Sequence, residues 1–451
     1  MTSSDVKFYK KHAFGTNRTE LIDQIVSGEW YNPELKKTVE VDYDSIVFEE
    51  SLDGGEADLV ASLNLGSTFC VVADRATHDA LGSRVAGNLS ALGGVNAIVL
   101  ENPHADMKAV DDLRVRMKPY EGVVAVGSGT INDLCKYAAY LDGRDYCVFG
   151  TAASMNGYTS STASINLDSG LKVSLPAKAP RGFFVDLKVS ADAPANLTAA
   201  GFGDCLARSV AQIDWWMSHR MLGTTYMTSP YLIQMKDEAI LNDCAGLLPG
   251  GDIDAITSLY RVLTLCGLGI AFTGMSNHGS MGEHQISHYI DCFARERHPG
   301  TLHGQQVGVA ALTMARLQQR ILSSDTPPYV SPTITDIDDM SRRMGSAIAR
   351  ECLSEWKKKA FTGESANIFN ARLDRIWPEL RTELSALAIP AEKMKSLLND
   401  AGGPQTAGNL GLPVDFYREA VCHNHEIRNR FSFVDIAADS GQLYAFAQGE
   451  T

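Results

Sequence analysis

His284 and His288 stand four residues apart in the stretch Ser276-Asn277-His278-Gly279-Ser280-Met281-Gly282-Glu283-His284-Gln285-Ile286-Ser287-His288, and a third imidazole follows at His303-Gly304. On a helix, positions i and i+4 lie one above the other on the same face, so both rings can enter one cavity. His303 can return to that cavity from the next segment. Two surface histidines on an ordinary helix would show the same spacing, so other donors have to decide. Asp204, in Gly201-Phe202-Gly203-Asp204, precedes a helical stretch at 205–219. It can cap that helix, which aspartate does well. It can equally serve as a ligand, since one aspartate and two histidines make three protein ligands and leave a position open for substrate or water, as a catalytic metal site requires.

A second group of residues suits phosphate. The apolar strand Gly122-Val123-Val124-Ala125-Val126 runs into Gly127-Ser128-Gly129-Thr130-Ile131 and then into a helix. Glycines at such a turn let backbone approach a pyrophosphate, and the helix N-terminus presents N–H groups and a positive dipole end. The spacing is not Gly-x-Gly-x-x-Gly, and a Gly-Ser-Gly triplet also makes a plain tight turn. The next strand, Tyr146 to Gly150, ends in Thr151-Ala152-Ala153-Ser154-Met155-Asn156-Gly157-Tyr158-Thr159-Ser160. Hydroxyl and amide groups concentrated at the carboxyl end of a parallel strand occupy the usual ligand crevice of an open α/β sheet. Asp74 ends an earlier strand, Thr68 to Asp74. There it can accept from an adenosine ribose and disfavour a 2′-phosphate, which selects NAD over NADP, or it can cap the following helix.

The elements that must position these groups divide into two textures. Strands near 45–49, 68–74, 96–100, 122–126 and 146–150 alternate with helices, which implies a mostly parallel α/β sheet. From Ala199 the chain reads as mainly helical, with amphipathic stretches at 204–219, 230–247, 255–272, 283–297, 306–323, 338–358 and 363–388. The expected organisation is an α/β, Rossmann-like N-terminal domain at 1–193 followed by an all-α C-terminal domain at 194–451. A chain of 451 residues fits two domains.

Composition narrows the class. The formal charge of −14 argues against nonspecific nucleic-acid binding. Nine cysteines, none in a Cys-x-x-Cys pair, fit reduced thiols in a cytoplasmic enzyme. The N-terminus has no apolar signal segment, and the most apolar run, Val262 to Met275, is too short to span a bilayer. A soluble cytoplasmic protein is expected.

Taken together in this order and spacing, the Gly127–Asp133, Thr151–Ser160, Gly201–Asp204, Glu283–His288 and His303-Gly304 segments resemble the glycerol-1-phosphate dehydrogenase family of the dehydroquinate-synthase-like superfamily, which also holds iron-containing alcohol dehydrogenases and glycerol dehydrogenases. The resemblance covers about Leu21 to Val309. It implies a dehydroquinate-synthase-like fold, bound NAD(H), one divalent metal and a homodimer. By position it puts the metal on Asp204, His284 and His303, and makes His288 and Asp204 catalytic residues, His288 contacting substrate. It assigns NAD contacts to Gly127, Ser128, Gly129, Thr130, Ile131, Thr151, Ala152, Ala153, Ser154 and Ser160, with Asp74 favouring NAD. Asp204, Asn156 and, more weakly, Lys172 fall on substrate positions.

Two departures matter. Asn156 stands where many relatives carry an aspartate, and the lost negative charge eases binding of a phosphate. Arg208 replaces an extra histidine ligand of the iron-dependent alcohol dehydrogenases, so a three-ligand site favours zinc or nickel over iron. The implied reaction is reversible hydride transfer between NAD(H) and dihydroxyacetone phosphate, giving sn-glycerol 1-phosphate. A glycerol or other polyol or alcohol dehydrogenase on the same scaffold is one alternative. A sugar-phosphate cyclase, using NAD without net turnover, is another, although the Gly-His-Thr-x-x-His pattern of the cyclases is absent around His284. A non-catalytic nucleotide-binding protein would have no reason to carry all three ligands.

Overall fold

The structure, a computed structural model, describes residues 18–451. These fall into two compact units, one of residues 18–201 and 228–275, the other of residues 202–227 and 276–451.

The first unit is built on six parallel strands. These are β1 (Ser45–Glu49), β2 (Thr68–Asp74), β3 (Gly94–Leu100), β4 (Gly122–Gly127), β5 (Tyr146–Gly150) and β6 (Gly182–Asp186), in the order β1-β6-β5-β4-β2-β3. Every residue of β4, β5 and β6 is buried, as expected for parallel strands covered on both faces. The outer strand β3 is largely exposed at its start. The chain moves outward from β2 to β3 and then reverses through β4, β5 and β6, so the order switches between the neighbours β2 and β4. Their carboxyl ends carry Asp74 and Gly127, and such a switch point is where open α/β sheets bind ligands. The alternation of elements does not single out β6, nor the antiparallel hairpin Thr162–Asn166 with Lys172–Pro176.

The division differs from the expected break between residues 193 and 194. Two helices of the expected C-terminal domain, Ser229–Cys244 and Ile253–Thr273, group with the sheet. The reason lies in the second of them. It is buried along its whole middle, from Ala255 to Ile270, so it must be enclosed on all sides and cannot lie on a surface. Its Tyr260 meets Phe48 at 5.7 Å and Phe183 at 6.2 Å between ring centroids, and Thr159 donates to its Thr264 carbonyl at 3.0 Å. The helix is 21 residues long with a mean hydropathy of 1.6, enough to cross a membrane by length and composition, but 89% of that window is buried inside the fold. The 14-residue run in the sequence understates it, and packing within the unit accounts for its apolarity.

The second unit is helical. Its principal helices are α1 (Ala195–Leu222, from residue 202 onward), α2 (Gly282–Phe293), α3 (His303–Leu322) and α4 (Gly363–Leu387). The expected helix over 338–358 is two helices, Ile337–Met344 and Ser346–Trp356, parted by Gly345 at φ +85°, a conformation that ends a right-handed helix.

Candidate metal and cofactor sites

In the first unit, β4 turns into the helix Gly129–Leu141 through Ser128. A Cβ on Gly127 would lie 2.7 Å from Cβ of Ile131, so the turn closes only around glycine. Ser128 makes no side-chain cap, and the first N–H groups of an α-helix have no intrahelical acceptor. The end of β4 is therefore a ready anion cradle formed by Gly127, Ser128, Gly129, Thr130 and Ile131. The segment after β5 is tied to this turn. Thr151 donates its N–H to the Gly127 carbonyl at 3.2 Å, and the Tyr158 hydroxyl lies 3.1 Å from that oxygen and 2.9 Å from the Ala152 carbonyl. Thr151, Ala152, Ala153 and Ser154 are thereby held beside the cradle.

Other expected contacts stand differently. Asp74 does cap: its Oδ1 accepts from Thr77 N–H at 2.8 Å, and the Thr77 hydroxyl accepts from Asp74 N–H at 3.0 Å. The half-buried carboxylate keeps its second oxygen outside that box. Ser160 is 3% exposed and its hydroxyl lies 3.1 Å from the Gly157 carbonyl and 3.0 Å from the Thr162 carbonyl, which commits it to the loop itself. Asn156 and Lys172 are half-buried residues of the same unit, Asn156 3.7 Å from Cys266 Sγ and Lys172 paired with Asn166 in the hairpin.

Lys136 is a residue the sequence reading misses. It is fully buried, and its Nζ donates toward the carbonyls of Gly157, Ser160 and Thr162 at 2.5, 2.9 and 3.3 Å. Burial pulls its ammonium down to about 8, against the opposing charge of Asp133, and burial pushes Asp133 up to about 6. A charged pair three residues apart, Asp133 and Lys136, is the sign of this in the sequence.

In the second unit, Asp204, His284 and His303 converge, with one ligand atom from each within 4.8 Å of the others. Asp204 does not cap a helix. Helix α1 begins nine residues earlier and runs straight through Gly201-Phe202-Gly203, so the carboxylate projects from a helix interior and is 4% exposed. These glycines are contact surfaces and not breakers. A Cβ on Gly203 would sit 2.3 Å from the Gly304 carbonyl oxygen and 3.3 Å from the Gly308 Cα, so the helices bearing Asp204 and His303 touch backbone to backbone.

His284 and His288 occupy one face of α2, as their spacing requires, with His284–His303, His288–His303 and His284–His288 ring centroids at 5.2, 5.5 and 6.3 Å. His284 Nε2 faces Asp204 Oδ1 at 3.4 Å, while its Nδ1 lies 2.8 Å from Glu283 Oε1. Burial works against a charged ring here, but Asp204 and Glu283 outweigh it and carry His284 up to about 9. That preference for positive charge is what a dication would satisfy. The donor set of one carboxylate and two imidazole nitrogens suits zinc, nickel or ferrous iron. Arg208 lies one turn beyond Asp204 on α1, half-buried.

The Gly203 contact gives a direct test. Gly203→Ala forces α1 and α3 apart and is expected to cost about 1–3 kcal/mol of stability, as overpacking does. It should also weaken metal binding without touching a ligand. Gly87→Ala, at an exposed helix position where a Cβ meets nothing within 4 Å, is expected to stabilise by about 0.5–1 kcal/mol. Thermal denaturation and metal titration of the two variants check the opposite signs.

Residues 47–194 match the model of the iron-containing alcohol dehydrogenase family. Over 386 residues the chain is 27% identical to a glycerol-1-phosphate dehydrogenase (NAD(P)+) of Bacillus velezensis, covering 83% of this chain and 86% of that one. It is 27% identical over 422 residues to the enzyme of the same name from Bacillus subtilis, covering 90% and 94%. Among solved structures, a probable glycerol dehydrogenase from Sinorhizobium meliloti superposes with a TM-score of 0.57 at 17% identity, over 90% of this chain and 97% of that one. An alcohol dehydrogenase from Oenococcus oeni gives 0.58 at 15%, over 91% and 98%. At such identities the likeness is one of fold, and the fold is the expected dehydroquinate-synthase-like one.

Proposed function

We propose that this relative of the glycerol-1-phosphate dehydrogenases is itself a metal-dependent NAD(H)-linked oxidoreductase that interconverts dihydroxyacetone phosphate and sn-glycerol 1-phosphate. The observation that carries the reading is the convergence of Asp204, His284 and His303 within one unit. These three side chains would hold a divalent cation, zinc or nickel in preference to iron, and a bound cation supplies Lewis-acid polarisation of the substrate carbonyl.

The chain's own residues do the rest. The cradle at Gly127 to Ile131, with Thr151 to Ser154 beside it, binds the pyrophosphate of the cofactor. Asp74 takes the ribose hydroxyls with the oxygen its cap leaves over, which favours NAD. In the reducing direction the carbonyl carbon needs a hydride, which bound NADH would supply, and its oxygen needs a proton. His288, 5% exposed and grouped with the two ligand imidazoles, hydrogen-bonds that oxygen and relays the proton. Asn156, uncharged, does not repel the substrate phosphate, and Lys172 is the weaker candidate for attracting it.

The test is NADH oxidation against phosphorylated and free ketones, with zinc or nickel restored after chelation. Dihydroxyacetone phosphate is expected to exceed dihydroxyacetone by at least about 100-fold in kcat/KM, because binding energy from the non-reacting phosphate is spent in the transition state and is lost with the free ketone. Equal turnover of both would replace this reading with a polyol dehydrogenase, and product formation without net NADH consumption would replace it with a cyclase. The reading includes a reducing cytoplasmic compartment, in keeping with nine free cysteines, and a homodimer, which light scattering after gel filtration checks.

A further inference from the structure

Both ligand imidazoles are gripped from behind. Behind His284 stands Glu283, fully buried, whose Oε1 lies 2.8 Å from His284 Nδ1 and also accepts from Met281 N–H at 2.8 Å. Its Oε2 is buried without a hydrogen-bond partner, so the carboxylate has been taken out of water with one oxygen uncompensated. Asp214, also buried, accepts from the N–H groups of Gly282 and Phe433 and from the Gln318 amide, which holds the start of α2 and with it the Glu283 backbone.

Behind His303 the arrangement is longer and can be followed proton by proton. The Gln306 side-chain nitrogen lies 3.0 Å from Asp291 Oδ1 and 3.2 Å from Thr301 Oγ1. An ionised carboxylate only accepts, so Asp291 fixes the amide with its nitrogen on that side. The amide oxygen is then turned to Ser287, and the hydroxyl donates to it at 2.8 Å. A hydroxyl has one proton, and this one is now used. Ser287 Oγ, 3.0 Å from His303 Nδ1, is therefore left to accept. His303 must carry its proton on Nδ1, and its lone pair falls on Nε2.

We infer that Glu283 and the Ser287–Gln306–Asp291 relay are positioning residues that lock His284 and His303 in the same tautomer, Nδ1 protonated, so that both Nε2 atoms are presented to a cation beside Asp204. The two devices lie on α2 and α3, are built differently, and reach the same result. Gln306 is fully buried and two hydrogen bonds from the ligand, and its amide nitrogen also meets His298 Nε2 at 3.0 Å. Outer partners of metal-bound histidines fix ring orientation and raise ligand basicity, and their loss typically costs 10–100-fold in affinity.

This inference rests on the metal site proposed above, and its test separates the two. Full-length chain labelled with ¹⁵N histidine and loaded with zinc should give two-bond correlations in which the nitrogen shifted by the metal is Nε2 for both His284 and His303, with Nδ1 protonated. Glu283→Gln and Gln306→Met should each raise the zinc Kd of the folded chain by about 10–100-fold, with NADH affinity unchanged. Zinc bound through Nδ1 of either ring, or variants that bind zinc within twofold of the parent, would overturn the inference. Because the spectrum is taken on the unaltered chain, a variant that fails to fold leaves that test standing. Zinc binding with the expected tautomers but no turnover of dihydroxyacetone phosphate would sink the proposed reaction and leave this inference intact.

Discussion

His284→Ala is expected to abolish stoichiometric metal binding and to lower kcat/KM by on the order of 10³-fold or more, since polarisation by a bound cation contributes several kcal/mol to the transition state and each 1.4 kcal/mol is tenfold. The ring is the hub of the cluster, placed between Asp204 on one side and Glu283 on the other. Its loss leaves two nearly fully buried carboxylates without the group that answered both. Breaking a buried charged pair by removing one partner costs about 3–5 kcal/mol, so the metal-free variant should also melt below the parent. Every residue assigned to the cofactor lies in the other unit, and NADH affinity should therefore survive. Elemental analysis after dialysis, thermal denaturation and cofactor titration read the three effects separately. Retention of one metal per chain together with activity within tenfold of the parent would remove His284 from the ligand set.

Much of this was legible in the sequence because it follows from local rules. An apolar strand running into Gly127-Ser128-Gly129 marks a strand-to-helix turn wherever it occurs, and two histidines at i and i+4 share a face of any helix they lie on. What escapes is decided by packing. Gly201 and Gly203 read as the end of a loop, which makes Asp204 a cap. In the fold they are the places where neighbouring backbone comes too close for a Cβ, and α1 passes through them unbroken. The helix Ile253–Thr273 belongs by chain order to the helical half, yet its burial on all sides binds it to the sheet. Glu283, Gln306 and Lys136 are residue types that ordinarily face solvent, and nothing in their spacing says that each is buried among specific partners. Relations of that kind, between residues distant along the chain, appear only once three dimensions are given.

The division of labour between the two histidines of α2 makes the opposite expectation for His288. His288→Ala should lower kcat by about 10²–10⁴-fold, the usual worth of a positioned general acid, and leave the metal in place. The ring lies among the ligand imidazoles, 5.5 Å from His303 and 6.3 Å from His284 between centroids, and its side chain is 5% exposed. The group whose ligand atoms converge is nonetheless Asp204, His284 and His303, so in the proposed reaction His288 would touch what the cation holds without being one of its ligands. If it passes the proton, kcat should fall far more than KM rises, because the interaction is made chiefly as charge develops on the substrate oxygen. His288→Gln, which can donate a hydrogen bond but cannot titrate, should recover KM more than kcat. Loss of the metal from His288→Ala would move the residue into the ligand set, and a kcat within threefold of the parent would leave the proton to another group. Beside His284→Ala, the pair is expected to form a double dissociation on one helix face: four residues apart, one substitution should empty the site and the other should silence it while it is still full.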